Sequence, residues 1–172
     1  PPVGPYFPGK RFCYGEPPGG QGREFPPGGI ELIGAATAAA DAEVIGMAVE
    51  ALRALGVSTF QLNLGQVDFL KGMLNGMNLS AEGLAALEQA INRRSRVELE
   101  RTLAALAITG DTAEAILALP SLCGDAEVIE RARHLTGNPA AQAALDHLAQ
   151  VYRLLALDGY ADVSAATRQR VI

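Results

Sequence analysis

The sequence predicts an α+β fold in which a short α/β segment precedes a run of helices. Hydrophobic residues make up 49% of the 172 positions, but only 5% are aromatic and Trp is absent. Prolines and glycines concentrate in residues 1–29, which favours irregular or edge structure there. Apolar residues then recur at helical spacing from about residue 80 onwards. We therefore expect an α/β core over residues 1–77, a helical domain over 78–158 and a tail over 159–172 that returns to the core.

Short strands are predicted on both sides of one helix in the first unit. Phe12–Tyr14 and Ile30–Gly34 are predicted strands, and alternation places Glu31 and Ile33 on the same face of the second. Val57–Leu64 alternates apolar and polar residues, which is typical of a half-buried strand.

The helices of this unit are predicted from their end signals and apolar spacing. Asp41 is expected to cap a helix that ends at Gly56, a residue type favoured after a helix C-terminus. Gln66–Gly76 is predicted to form a second helix, because its apolar residues again follow helical spacing.

Five further helices are predicted after residue 78, each from a capping signal followed by apolar residues at helical spacing. Their predicted first residues are Ser80, Ser95 with Glu98, Asp111 with Glu114, Asp125, and Asn138 followed by Pro139.

Bulk properties exclude several classes of function. The formal charge of −5 disfavours nucleic acid as the main partner, because a nucleic-acid binder needs a positive field. No apolar run approaches the roughly 20 residues of a membrane span. The proline-rich start lacks the apolar region of a signal peptide. Cys13 and Cys123 make no disulfide framework, so we expect a reducing, cytoplasmic location.

Conventional catalytic and metal-binding patterns are absent from the sequence. His134 and His147 lack metal-site spacing, so we expect surface or interface histidines and no metal. Cys123 is expected to be a small core residue rather than a reactive thiol. The stretch from Gly19 to Arg23 lacks the Lys-Ser/Thr ending of a phosphate loop, which favours a flexible loop and no cofactor.

Glu31 is the candidate site residue. It stands among Ile30, Leu32 and Ile33, and a carboxylate buried among such residues is costly unless a cation or hydrogen-bond donor meets it. Either Glu31 faces water on the polar side of a strand, or it anchors an ammonium or imidazolium group.

Three segments together resemble the second class-defining motif of class II aminoacyl-tRNA synthetases, in the histidyl-tRNA synthetase branch. They are Arg23-Glu24-Phe25, Gly29-Ile30-Glu31-Leu32-Ile33-Gly34 and Asp41-Ala42-Glu43-Val44-Ile45. Other blocks are more similar to the synthetase paralogue that acts as the regulatory subunit of ATP phosphoribosyltransferase. These blocks are residues 60–71, 87–106 and 119–124, and the resemblance covers residues 11 to about 158.

The resemblance implies part of the antiparallel sheet of class II synthetases, with an inserted helical domain. It implies a non-catalytic protein of histidine biosynthesis that assembles with the short catalytic subunit of ATP phosphoribosyltransferase, activates it and takes part in feedback inhibition by histidine. It also implies a homo-oligomer formed through the core. Glu31 matches the family acid that meets the amino group of histidine, and Arg23 matches a loop position that lies near ATP in the synthetases.

Two departures from the synthetase pattern bear on activity. The family has Gln where this chain has Pro27, so one amide contact to histidine is missing. The synthetases also carry a phosphate-binding arginine shortly after the strand at Phe12–Tyr14, and no arginine stands between Tyr14 and Arg23. The residues between Tyr14 and Arg23 do not supply the charge and fork geometry of that arginine, and this argues against adenylate chemistry. Two alternatives stay open. One is a true histidyl-tRNA synthetase that catalyses ATP-dependent aminoacylation. The other is a helical interaction module without a small-molecule site.

Overall fold

The chain folds as an antiparallel hairpin followed by seven α-helices, within the residues that the computed structural model describes. These are residues 3–12, 24–25, 27–60, 62–77, 79–122, 124 and 126–160.

The hairpin contains four short strands, β1 (Tyr6–Pro8), β2 (Arg11–Phe12), β3 (Glu24–Phe25) and β4 (Gly28–Ile30). β1 pairs with β4 and β2 pairs with β3, both antiparallel. An isolated bridge between Val3 and Ile33 continues the same register. Prolines in both arms lack an N–H, so they interrupt the ladder and divide one hairpin into short strands.

The predicted strands are only partly found. The strand expected at Phe12–Tyr14 appears as Arg11–Phe12, with residues 13 and 14 outside the described part of the chain. The strand expected at Ile30–Gly34 lies earlier, at Gly28–Ile30. The strand expected at Val57–Leu64 is wrong for its described residues, which pair with no described strand. The alternation of apolar and polar residues gave that segment a strand-like pattern. A strand also needs a neighbouring strand to which its backbone N–H and C=O groups can hydrogen-bond.

The helix α1 (Ala38–Ala54) follows the hairpin. It begins after Thr37, whose hydroxyl accepts a hydrogen bond from Ala40 N at 3.2 Å. The prediction that Asp41 caps this helix is therefore wrong, and Asp41 lies in its first turn, where a negative charge also suits the helix dipole. Gly56 follows the last turn with a φ of +77°, as its predicted role at the helix end requires.

The remaining helices are α2 (Val67–Met73), α3 (Ala81–Arg93), α4 (Arg96–Ala105), α5 (Gly110–Ala118), α6 (Glu127–Arg133) and α7 (Pro139–Leu155). Capping by Ser80, Ser95 and Asn138 is confirmed, since each side chain accepts a backbone hydrogen bond. The capping role predicted for Asp111 is wrong, because α5 begins after Thr109, whose side chain makes no cap hydrogen bond. The predicted helix start at Asp125 lies outside the described residues.

The longest of these helices, α7, lies against both α1 and α2. Gly72 of α2 faces the backbone of Ala140 and Ala141 so closely that a side chain there would collide with it. Apolar residues from α1 to α7 form one core, whose largest fully buried members are Leu87, Leu99, Ile116, Leu145 and Val128. This core crosses the predicted boundary at residue 78, and the division into domains stays a prediction.

The described chain ends against α1. A wide last turn over Ala156–Tyr160 follows α7, and Gly159 within it has a φ of +84°. The Tyr160 ring lies over Gly46, and the guanidinium of Arg53 lies 5.4 Å from the ring centroid. Residues 161–172, the rest of the predicted tail, lie outside the described residues.

Candidate functional site

Glu31 lies directly after β4 and continues the hairpin. Its N–H donates to the carbonyl oxygen of Pro5 at 3.1 Å. Pro5 has no N–H, so it donates no hydrogen bond back to Glu31. Two residues after Glu31, Ile33 N donates to Val3 O at 2.8 Å. The backbone of Glu31 is thus held in an extended pairing, even though the regular strand ends at Ile30.

The face that carries Glu31 is exposed rather than buried. Alternation and register place Val3 and Ile33 on this face, and they are 59% and 56% exposed. Glu31 is itself exposed, and it lines none of the main cavities among the described residues. The half-buried residues Ile30 and Leu32 occupy the other face. The hairpin therefore presents a carboxylate beside a cross-strand pair of exposed apolar side chains.

The other residues that the resemblance singles out are placed only in part. Arg23 and the loop around Gly19 lie outside the described residues. Pro27 is half-buried in the hairpin, and its carbonyl oxygen accepts a bond from Gly9 N at 3.4 Å. Its ring offers no amide donor, so the amide contact made by the family Gln has no counterpart at this position.

A second polar site, which the sequence did not predict, lies between α1 and α7. His147 Nε2 is 2.7 Å from Asp41 Oδ2, and the two side chains are 33% and 56% exposed. The sequence gives no signal for this pair, because the two residues are 106 positions apart and belong to different predicted domains. His147 thus lies partly buried at the contact between α1 and α7.

The Asp41–His147 pair borders a cleft of about 240 Å³. The loop before α2 closes one side of the cleft, and its walls combine apolar side chains with a few polar groups. They are Asp41, Val44, Ile45, Leu64, Gly65, Gln66, His147, Leu148 and Val151. The Gln66 side chain is already engaged, since its Oε1 accepts a bond from Asp68 N at 3.2 Å. Chemically, the pair offers a carboxylate and an imidazole that hold each other in place.

A wider depression of about 640 Å³ lies between α5 and the end of α6. His134 is exposed there, and Asp111 and Glu114 of α5 line the same depression. Among the described residues, no group of three or more His, Cys, Asp or Glu side chains is placed to hold a metal ion. Cys123 lies outside this part of the chain.

The junction of α6 and α7 is rich in polar contacts that serve the fold. Arg133 Nη1 lies 2.6 Å from Asp146 Oδ1, and its Nε lies 3.2 Å from Glu130 Oε1. The hydrogen bond to Asp146 raises the pKa of Arg133 above its ordinary value. Gln142 Nε2 donates to the carbonyl oxygens of Arg133 and Thr136 at 2.9 and 2.6 Å. These contacts join neighbouring elements and leave no group directed at a ligand.

No helix in the described portion of the chain has both the length and the apolar character needed to cross a membrane.

Comparisons with known proteins identify a family and several relatives that this chain resembles. The sequence pattern described as Histidyl-tRNA synthetase matches residues 11–165. The ATP phosphoribosyltransferase regulatory subunit of Syntrophotalea carbinolica is 37% identical over 153 residues, which cover 85% of this chain and 36% of that protein. The protein of the same name from Moorella thermoacetica is 38% identical over 148 residues, covering 86% of this chain and 38% of the relative. This chain thus spans little more than a third of the length of these relatives.

A solved structure is similar in fold. It is the crystal structure of an ATP phosphoribosyltransferase regulatory subunit/histidyl-tRNA synthetase from Bacillus halodurans C. It superposes with a TM-score of 0.83 over 99% of this chain and 43% of that one, at 24% identity. At this identity the likeness shows a shared fold.

Proposed function

The chain belongs to the histidyl-tRNA synthetase family, whose pattern it matches over residues 11–165, and we propose that it is a non-catalytic regulatory subunit of ATP phosphoribosyltransferase. The predicted resemblance to this family and its class II synthetase-like fold are confirmed. The names of the relatives that are 30% to 38% identical over most of the chain carry the functional proposal. The missing arginine between Tyr14 and Arg23 supports it, because adenylate formation needs a fork-shaped cation on the phosphate.

The proposal extends to assembly and location. The chain binds the short catalytic subunit of ATP phosphoribosyltransferase in the cytoplasm and raises its activity. Histidine is the effector, and it acts by binding the active and inhibited states of the assembly with different affinity. Copies of the chain associate through the core.

The finer architecture is part of the same proposal. The hairpin belongs to an antiparallel class II sheet, and residues 78–158 form a helical domain inserted into that core. The two-stranded pairings support a larger sheet, since an isolated two-stranded ribbon is only marginally stable in water.

Glu31 is the proposed anchor for the amino group of histidine, and Arg23 is the proposed second residue of the ligand loop. An exposed carboxylate gains little from one ammonium, because water screens the pair. A ligand that also covers Val3 and Ile33 would remove that water and strengthen the bond. The apolar neighbours of Glu31 thus support a role in binding an amino acid that is both cationic and partly apolar.

The regulatory role is tested with a purified short-form catalytic subunit. We expect the two proteins to elute together and the phosphoribosyltransferase rate to rise when this chain is added. Independent elution together with an unchanged rate would contradict the proposal.

The alternative of a histidyl-tRNA synthetase has the family description in its favour. It predicts histidine-dependent exchange of pyrophosphate into ATP by this chain alone. We expect no exchange above the level of a blank, and measurable exchange would replace the regulatory proposal by the enzymatic one.

The role of Glu31 is tested by calorimetry with histidine. We expect Glu31→Gln to weaken binding by tenfold or more, because the neutral amide keeps the shape but loses the charge. Glu24→Gln is the matched control, since Glu24 is on the same hairpin and its carboxylate contacts Lys10 Nζ at 2.6 Å. Equal histidine affinity in the wild type and Glu31→Gln would remove Glu31 from the site.

A further inference from the structure

Positive charge is concentrated where α3 meets α4. Arg93, Arg94, Arg96 and Arg101 lie within nine positions, although the chain has only 14 Lys and Arg residues and a net charge of −5. The α3–α4 corner is defined here as residues 93–101. Its composition differs from that of the chain as a whole, and the hairpin site makes no use of it.

Two of these cations have partners on the same corner. Arg93 Nη1 lies 2.6 Å from Glu98 Oε1, and Arg96 Nε lies 2.9 Å from Glu100 Oε1. Arg94 and Arg101 are exposed and make no side-chain hydrogen bond or ion pair to any described residue. Two arginine charges at this corner are therefore available to a partner.

The backbone at Arg94 does not favour arginine. Arg94 ends α3 in the left-handed region, with a φ of 54°, and its N–H donates to Ile91 O at 3.0 Å. Glycine takes this conformation without the steric cost that any side chain brings, and it is the usual residue after a helix end. The fold of this turn therefore does not account for an arginine here.

The charge of Arg96 is also unfavourable for its helix. Arg96 is the first residue of α4, where the positive end of the helix dipole disfavours a cation. The ion pair with Glu100 offsets part of this cost. The left-handed conformation of Arg94 has no such compensation, and a backbone outlier of this kind points to a functional role.

The exposed face of α4 adds an apolar contact. Val97 is 59% exposed, and Arg101 follows one turn later on the same face. A partner that covers Val97 would lie beside Arg94 and Arg101. The carboxylates of Glu98 and Glu100 share this corner, and they would repel the closely spaced phosphates of a nucleic acid.

We propose that the α3–α4 corner is a docking surface for a protein partner whose contact patch carries carboxylates around an apolar centre. The inference rests on the proposed function, so the partner is the short catalytic subunit of ATP phosphoribosyltransferase. Arg94 and Arg101 pair with its carboxylates, and Val97 packs on its apolar centre. Charge complementarity of this type sets the association rate and makes binding sensitive to salt.

The test measures the affinity of this chain for the purified catalytic subunit by calorimetry. We expect the double variant Arg94→Glu with Arg101→Glu to bind at least tenfold more weakly, because like charges then face each other. Arg153→Glu reverses an exposed charge on α7 and should leave the affinity unchanged. Equal affinity of the wild type and the double variant would overturn the docking surface.

A glycine variant separates binding from folding. We expect Arg94→Gly to bind about three- to tenfold more weakly, while its thermal midpoint stays equal to that of the wild type or rises by a few degrees. Ala107→Gly is the matched control, because Ala107 also has a φ of 54° after the other end of α4. It should show the same thermal behaviour with full affinity. Wild-type affinity in Arg94→Gly would contradict a role for the Arg94 charge.

Three further outcomes have definite meanings. Failure of the wild type to bind the catalytic subunit would contradict the proposed function and this inference with it. Loss of self-association in the double variant, with the catalytic subunit still bound, would assign the corner to a second copy and overturn the inference. Salt-sensitive binding of duplex RNA that the double variant abolishes would overturn it as well.

Discussion

His147 Nε2 lies 2.7 Å from Asp41 Oδ2, and this contact joins α7 to the first turn of α1 across 106 positions of sequence. The two helices also pack through apolar residues, and burial of these residues supplies most of the energy of the contact. The hydrophobic effect is non-directional, so the Asp41–His147 pair contributes mainly by favouring one relative position of the two helices. It fixes one wall of the cleft between them.

The Asp41–His147 pair should contribute modestly to stability. Because both side chains are partly exposed, at 56% and 33%, we expect a coupling free energy of about 0.2–1 kcal/mol. The measurement is a double-mutant cycle of Asp41→Asn and His147→Gln, followed by urea unfolding. A cycle in which the two single effects simply add would show that the contact contributes nothing in solution.

Replacing Gly72 should disturb the packing of α2 on α7. A Cβ at this position would lie 2.7 Å from Ala141 Cα, and the obstacle is backbone rather than a flexible side chain. We expect Gly72→Ala to lower the free energy of unfolding by about 1–3 kcal/mol, as overpacked sites do. Gly137→Ala is the control, because a Cβ there meets nothing within 4 Å. Equal thermal midpoints for the two variants would contradict the close approach of these helices.

The Gly72 contact shows where sequence reasoning reaches its limit. Local signals identified Ser80, Ser95 and Asn138 as caps and Gly56 as a helix end, because each acts on neighbouring residues. No local signal states which helix lies against Gly72. Packing partners depend on the whole chain, so the central position of α7 could not be read from periodicity.

In the candidate site, too, local features could be predicted from the sequence and features that depend on distant parts of the chain could not. The motif around Glu31 is local, so the sequence was sufficient to identify the family, while the role of Glu31 stays a proposal. The exposure of Glu31 depends on what covers the hairpin face, and the Asp41–His147 pair depends on how two distant helices meet. The segment Val57–Leu64 had a pattern suited to a strand but pairs with no described strand, and the helix predicted to be capped by Asp41 is capped by Thr37, four residues earlier.

Gln142 should stabilise the junction of α6 and α7. Its side-chain amide donates to the carbonyl oxygens of Arg133 and Thr136, which the end of α6 leaves without helix partners. We expect Gln142→Leu to lower the free energy of unfolding by about 1–3 kcal/mol, because two part-buried acceptors lose their donor. The exposed Gln150 on the same helix provides the control Gln150→Leu. Equal urea midpoints for the two variants would contradict this role.

Glu82 should make α3 sensitive to acid. Its own backbone N–H and the Ser80 hydroxyl, both at the start of the helix, lower the pKa of Glu82 below its ordinary value. A carboxyl group whose pKa is lowered by folding stabilises the native state above its unfolded pKa, and this contribution is lost as the pH falls through the folded pKa. We expect the stability difference between the wild type and Glu82→Gln to be present at neutral pH and to disappear in acid. The measurement is urea unfolding of both proteins from pH 7 to pH 3, with Glu114→Gln, an exposed acid of α5, as the control. A difference that stays constant over this range would contradict the role of the charge, because only an ionisable group can make it depend on pH.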